Sequence, residues 1–259
     1  MKLKIQAELD YALETRTDIL MQIEAAHLPD QTILSERFDA GSTTYLARIS
    51  SEDAIGTRVW LSCDDRLLCH YAAEVEIDRP QEDITRLGPD LVHTLPHEAV
   101  RYLMASRYCP SDEFQSFVAA EFGHVAGGAA VREMADWIQQ RFTYSPGASG
   151  PSTTALETFV QRRGICRDFA HVLITLARAK AIPARMVSCY GPDVQPPDFH
   201  AVAQVWLGGR WHLVDPSGMA TPDRIAIVGV GRDAADIAFM TSYGWATLNR
   251  QVVRVEETG

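Results

Sequence analysis

The chain has no apolar run near the roughly 18 residues that a membrane-spanning helix needs. Its opening residues, Met1-Lys2-Leu3-Lys4-Ile5-Gln6, alternate polar and apolar. They carry neither the apolar stretch nor the small-residue cleavage site of a secretory signal, so the expected compartment is the cytoplasm. Positive charge is also scarce. A formal charge of -10 argues against nucleic acid and anionic membrane surfaces as partners. Paired cysteines are missing. The five present, Cys63, Cys69, Cys109, Cys166 and Cys189, are odd in number and form no repeated close pair. That excludes a disulfide framework and fits a reducing compartment. Cys63, Cys69 and His70 lie close together, but a tetrahedral zinc site shows tighter paired spacing. They read as ordinary strand residues, and no metal is expected. There is no internal repeat and no low-complexity segment.

What is present is a globular composition in 259 residues, enough for one large or two ordinary domains. Residues 1–88 read as a β-sandwich. Leu3, Ile5, Ala7, Leu9 and Tyr11 alternate with polar residues at the two-residue period of a half-buried strand. Further strand-like runs cover 19–23, 43–49, 58–62 and 67–77, separated by turn-rich pieces. Residues 79–96, with Pro80, Gly88-Pro89 and Pro96, read as a linker holding His93. Helical patterning begins near Glu98, so the second domain is expected over 98–259. Helices are expected to about Phe122, from Ala129 to Phe142, and from Thr154 to Arg162 with Leu156, Phe159 and Val160 facing inward. The overall class is α+β.

The stretch from Gly164 to His171 organises the second domain. It reads as a loop entering a helix at Cys166, with Ala170, Leu173 and Ala177 continuing a buried stripe below the thiol. A thiol there meets unpaired backbone N–H groups and the positive end of the helix dipole, which favour the thiolate. His171 lies roughly 140° around the helix from Cys166 and Asp168 about 200°, at about 100° per residue. Neither faces the thiol, so a general base must come from elsewhere. Asp168 is read as a brace for the entry loop.

Strand-like runs follow at 184–190, 200–207 and 210–215. Gly208-Gly209 between the last two is a hairpin signal. A two-residue turn sets Leu207 opposite Arg210, Val202 opposite Asp215 and His200 opposite Ser217. His200 and Asp215 then become diagonal neighbours on one face. His212 has the opposite parity and faces away. Cysteine, histidine and aspartate in this order can act as nucleophile, general base and orienter.

Gly164-x-Cys166-x-Asp168-x-Ala170-His171, Ile182-Pro183-Ala184-Arg185, His200-Ala201 and Trp211-x-x-x-Asp215-Pro216 together resemble the bacterial transglutaminase-like superfamily. Gly231-Arg232-Asp233 through Ile237 looks like its tail. The resemblance implies a papain-like core in which an antiparallel sheet packs on the nucleophile-bearing helix. It implies Cys166 as nucleophile, His200 as base and Asp215 as orienter. Many members carry an aromatic directly after His-Ala; here Val202 stands there and Trp206 follows later. The Cys166 backbone N–H is the first expected oxyanion donor. Tyr144 is a candidate side-chain donor, with a core tyrosine as the competing reading. The implied activity is thiol acyl transfer on a peptide, protein or small amide, as a cysteine protease or amidase, with no cofactor required. The alternatives are a transamidase and an inactive binding scaffold. The sequence does not reveal the oligomeric state.

Overall fold

A computed structural model describes residues 1–258. Six strands come first: β1 (Lys2–Leu13), β2 (Thr17–Met21), β3 (Gln31–Asp39), β4 (Tyr45–Ser50), β5 (Thr57–Cys63) and β6 (Arg66–Ile77). The helical part holds α1 (His97–Val100), α2 (Gln115–Phe122), α3 (Gly127–Arg141), the short strand β7 (Thr143–Tyr144), α4 (Ala155–Gln161), the short strand β8 (Arg163–Gly164) and α5 (Cys166–Ala179). Then come β9 (Ala184–Tyr190), β10 (His200–Leu207), β11 (Arg210–Val214), β12 (Ala226–Gly231), α6 (Ala234–Ile237), β13 (Met240–Ser242) and β14 (Ala246–Glu257). No helix among the described residues is long and apolar enough to cross a membrane.

The N-terminal strands form a β-sandwich. One sheet has the order β14-β1-β6-β3 and the other β13-β2-β5-β4. The alternation in β1 sets which face is inside: Leu3, Ile5, Ala7, Leu9, Tyr11 and Leu13 are buried, and Lys2, Lys4 and Gln6 are exposed. These residues share one core with Ile19 and Met21 of β2 and Val59 and Leu61 of β5. Burial of each large aliphatic is worth about 1.5–3 kcal/mol, so a one-residue slip of β1 would expose the whole row. Cys63 and Cys69 are buried strand residues of this core.

Residues 240–257 lie outside the core to which a division near residue 98 assigns them. β13 pairs with β2, and β14 pairs with β1 along its length. The chain returns to the sandwich after the helical part is complete. The 79–96 segment is also packed down. The Gly128 N–H donates to the Leu87 carbonyl at 2.9 Å, and a Cβ at Gly128 would meet the Ile84 carbonyl oxygen at 1.7 Å.

The core sheet has the order β11-β10-β9-β12, all antiparallel. Helix α5 packs on β10 and β9, with α3 and α4 on its other side. That explains its sequence: 12 of its 14 residues are buried, so an amphipathic stripe would not suffice. Gly208 and Gly209 have φ of 60° and 81°, the two left-handed positions of the tight hairpin that joins β10 to β11. Leu207 faces Arg210 and Ala203 faces Val214, the register expected from the sequence. Helix α4 is turned by one position from expectation. A capping box between Thr154 and Glu157 starts it at Ala155, so Ala155 and Thr158 face inward. Leu156 and Val160 are exposed, Val160 at 71%, while Phe159 joins Phe117 and Trp137 in an aromatic cluster.

Candidate active site

Cys166 is the first residue of α5 and 7% exposed. Asp168 fixes the turn before it. Its Oδ2 accepts the Ile165 N–H at 2.8 Å, and Arg167 holds its Oδ1 at 3.0 Å. Asp168 lies so close to the loop that a Cβ on Gly164 would meet its carboxylate carbon and oxygen at 3.1 and 2.8 Å. Glycine is required there, and Asp168 is the brace expected from the sequence. β7 and β8 pair in parallel, with Tyr144 opposite Gly164. The Ser145 N–H donates to the Gly164 carbonyl at 2.8 Å. These two short strands bring the Tyr144 hydroxyl beside the thiol and the backbone N–H of Cys166. Burial and then negative charge at Cys166 push that hydroxyl's pKa up, so it stays a proton donor.

His200 opens β10 and Asp215 follows directly after β11. The His200 Nε2 lies 2.9 Å from Asp215 Oδ2, with both side chains nearly inaccessible. The diagonal contact expected across the hairpin is therefore made. Asp215 is itself tied down: the Ala220 N–H donates to Oδ2 at 2.9 Å, and the Ser217 N–H and hydroxyl donate to Oδ1 at 2.8 and 2.6 Å. With Nε2 committed, His200 Nδ1 is left buried without a nitrogen or oxygen partner. The Cys166 thiol lies near enough to the ring to raise its pKa.

The electrostatics favour a charged imidazole. Burial pulls His200 down, but the hydrogen bond it donates to Asp215 and the contact with Cys166 outweigh it and push its pKa up to about 10. Asp215 goes the other way. Burial opposes its charge, yet His200 and Ser217 hold the carboxyl below the usual carboxylate range. Cys189 faces His200 across the β9–β10 pair. Burial, then the charges of Asp215 and Cys166, push its thiol well up and keep it inert. Sequence reasoning passed over this second thiol, although extending the register from β10 to β9 would have located it. The Ser217 bonds had a signal too: an aspartate whose carboxylate takes the N–H two residues on is a common turn device.

The other histidines stand apart. His171 is fully buried, stacks on Tyr108 at 5.1 Å, and accepts the Ala234 N–H on Nε2 at 3.1 Å. Burial, the largest effect, lowers its pKa to about 4 and keeps it neutral. His212 Nε2 donates to the Leu207 carbonyl at 3.0 Å. His93 is exposed.

The family model described as the transglutaminase-like superfamily matches residues 118–216, from α2 to just past Asp215. A solved structure from Cytophaga hutchinsonii, a candidate cysteine protease, is 30% identical with a TM-score of 0.92 and is covered over 92% of its length by the whole of this chain. The chain belongs to the transglutaminase-like superfamily. An uncharacterised protein of Mycobacterium leprae is 35% identical over 118 residues, 42% of each chain. This transglutaminase-like chain thus spans about two fifths of that relative. A protein-glutamine gamma-glutamyltransferase of Pseudomonas aeruginosa is 32% identical over 95 residues, 32% of this chain and 14% of its own length.

Proposed function

We propose that the protein is a thiol hydrolase, a cysteine protease or amidase that cleaves peptide or amide bonds through an acyl-enzyme. One observation carries the reading. Asp215 holds His200 by Nε2 at 2.9 Å and leaves Nδ1 as the ring nitrogen open to the Cys166 proton. The raised pKa of His200 favours the proton of the pair on Nδ1, and the Cys166 sulfur attacks the substrate carbonyl carbon, whose oxygen takes up the negative charge. The oxyanion that forms is held by the Cys166 N–H at the start of α5 and by the Tyr144 hydroxyl. His200 then returns the proton to the leaving amine as the C–N bond breaks. Water, deprotonated by His200, attacks the thioester, releases the acid and restores the thiol. Likeness along the whole chain to a candidate cysteine protease supports water as the acceptor. The shorter likeness to a gamma-glutamyltransferase supports a second reading, in which an amine resolves the acyl-enzyme. Five unpaired cysteines fit a reducing compartment and support a cytoplasmic site of action.

The test is activity-based labelling with mass analysis of the trapped acyl group. Cys166 should label faster than the other four cysteines, and the trapped mass names the acyl donor. Turnover with added methylamine separates the two acceptors: an acid product supports hydrolysis, a methylamide supports transfer. If Cys166 labels no faster than the rest, the inactive-scaffold reading takes the place of both.

A further inference from the structure

A cavity of about 390 Å³ opens between the sandwich, the 79–96 segment and the core sheet. Cys166, His200 and Asp215 do not line it. Its floor holds Arg185 of β9 and Gln204 of β10, direct partners in the strand pairing. They are only 4% and 7% exposed. Arg185 gives Nε to Gln204 Oε1 at 2.8 Å and Nη1 to Asp53 Oδ2 at 2.7 Å. Its guanidinium lies over the Trp211 ring at 4.1 Å, and Trp211 meets Tyr102 and Trp206 edge-on at 5.3 Å. The guanidinium is thereby fixed in plane and direction. Two donor nitrogens, Arg185 Nη2 and Gln204 Nε2, take no part in these bonds. Neither is sealed from solvent as the buried orphan atoms elsewhere are.

The walls suit a ligand with an apolar body. Leu28, Ile55, Leu213 and Ile227 line the cavity together with Trp211. Three arginines, Arg79, Arg185 and Arg210, line it against two carboxylates, Asp30 and Glu82. Arg79 pairs with Asp30, Arg210 with Glu82 and Arg185 with Asp53, so these charges are matched one to one around the cavity. A water occupies about 30 Å³ in the liquid, so the space suits a molecule of roughly amino-acid to dipeptide size.

We propose that this cavity binds a small carboxylate with an apolar or aromatic body, its two oxygens accepting from Arg185 Nη2 and Gln204 Nε2. A guanidinium and an amide side by side on adjacent strands offer N–H donors to both oxygens of a carboxylate. Burial weighs most on Arg185 and pulls its guanidinium below the ordinary range; a bound anion offsets that cost. The ligand would touch the sandwich through Leu28 and Ile55 and the core sheet through Gln204, so binding should stabilise the fold.

The experiment is calorimetric titration of the full chain with phenylacetate, phenylacetamide and phenethylamine. Phenylacetate should bind saturably, phenylacetamide at least about tenfold more weakly, and phenethylamine not at all. Gln204→Leu should weaken phenylacetate by about tenfold or more. If that variant fails to fold, Arg210→Glu at the exposed rim decides, with a several-fold loss expected. Cys166→Ala should bind as the parent does, which separates this site from the thiol chemistry. The proposal is overturned if phenylacetate shows no saturable binding or if phenylacetamide binds equally well. It is also overturned if a folded Gln204→Leu chain, or Arg210→Glu in its place, keeps the parent affinity.

Discussion

Replacing Asp215 with Asn tests the centre of the site. The carboxylate accepts four hydrogen bonds, from His200, Ala220 and, twice, Ser217. An amide keeps the shape but has one acceptor oxygen. The best placement leaves that oxygen toward His200 and Ala220 and turns the NH2 toward Ser217, whose hydroxyl can accept but whose N–H loses its partner. The His200 bond changes from charge-assisted, about 1.5–3 kcal/mol, to neutral, about 1 kcal/mol. At 1.36 kcal/mol per pKa unit, the His200 midpoint should fall by about one unit from its raised value near 10. The sign in stability follows. A histidine raised on folding contributes fully below its unfolded value of ~6.5, and the contribution is lost as pH rises toward about 10. The lowered Asp215 contributes above its ordinary ~3.9 and loses that as pH falls through its folded value. The parent should therefore melt at lower temperature as pH rises from about 6.5 to about 10, and Asp215→Asn should complete this loss at lower pH. Activity should drop by about 10²–10⁴, since the imidazolium loses its counter-charge. The assay is a nitrogen-detected titration of the His200 ring beside melting curves across pH. A His200 midpoint within about 0.3 unit of the parent would refute the reasoning.

Cys166→Ala should abolish turnover while leaving the melting temperature within about 2 °C of the parent, because the smaller side chain caps the same buried stripe; activity assay and calorimetry check both halves. Tyr144→Phe should lower kcat by about 10²-fold with little change in KM if its hydroxyl holds the oxyanion, as steady-state kinetics would show. Gly164→Ala drives a Cβ into the Asp168 side chain, whose Cβ would lie 2.7 Å away, so it should lower both thermal stability and the alkylation rate of Cys166.

Much of the core sheet was legible because its borders are chemical. Pro183 and Gly191 bracket β9, Gly208-Gly209 closes β10, and Asp215-Pro216 ends β11, so those strands fall where the sequence puts them. The meeting of His200 and Asp215 was legible for a related reason: the hairpin spacing constrains which side chains can touch. β3 and β14 were not legible. Gln31 and Val253 are the only fully buried residues in these strands, so the two-residue alternation that marks β1 is missing. β14 is also held by β1 from the opposite end of the chain. Backbone pairing at an edge leaves no side-chain signature to read. The α4 face failed differently: apolar Leu156 and Val160 suggested a stripe, but the Thr154 cap set the helix phase one position away.

The sequence reading separates the sandwich from the second domain by a linker, but the loop between β4 and β5 meets the core sheet at a buried charge. Between β4 and β5 the chain takes left-handed conformations at Asp53 and Ala54, φ 55° and 57°. This is an uncommon backbone for residues with a Cβ. It delivers Asp53 to Arg185 at 2.7 Å and to the Tyr102 hydroxyl at 2.5 Å. Arg185 lies on β9 and bonds Gln204 on β10, the strand that begins at His200. Removing the carboxylate would take the charged partner from a buried guanidinium and leave it Gln204 and the Trp211 face. The sandwich therefore reaches β10 through three side chains in succession. The left-handed turn at residues 53 and 54 is the point at which the sandwich places that charge against the core sheet.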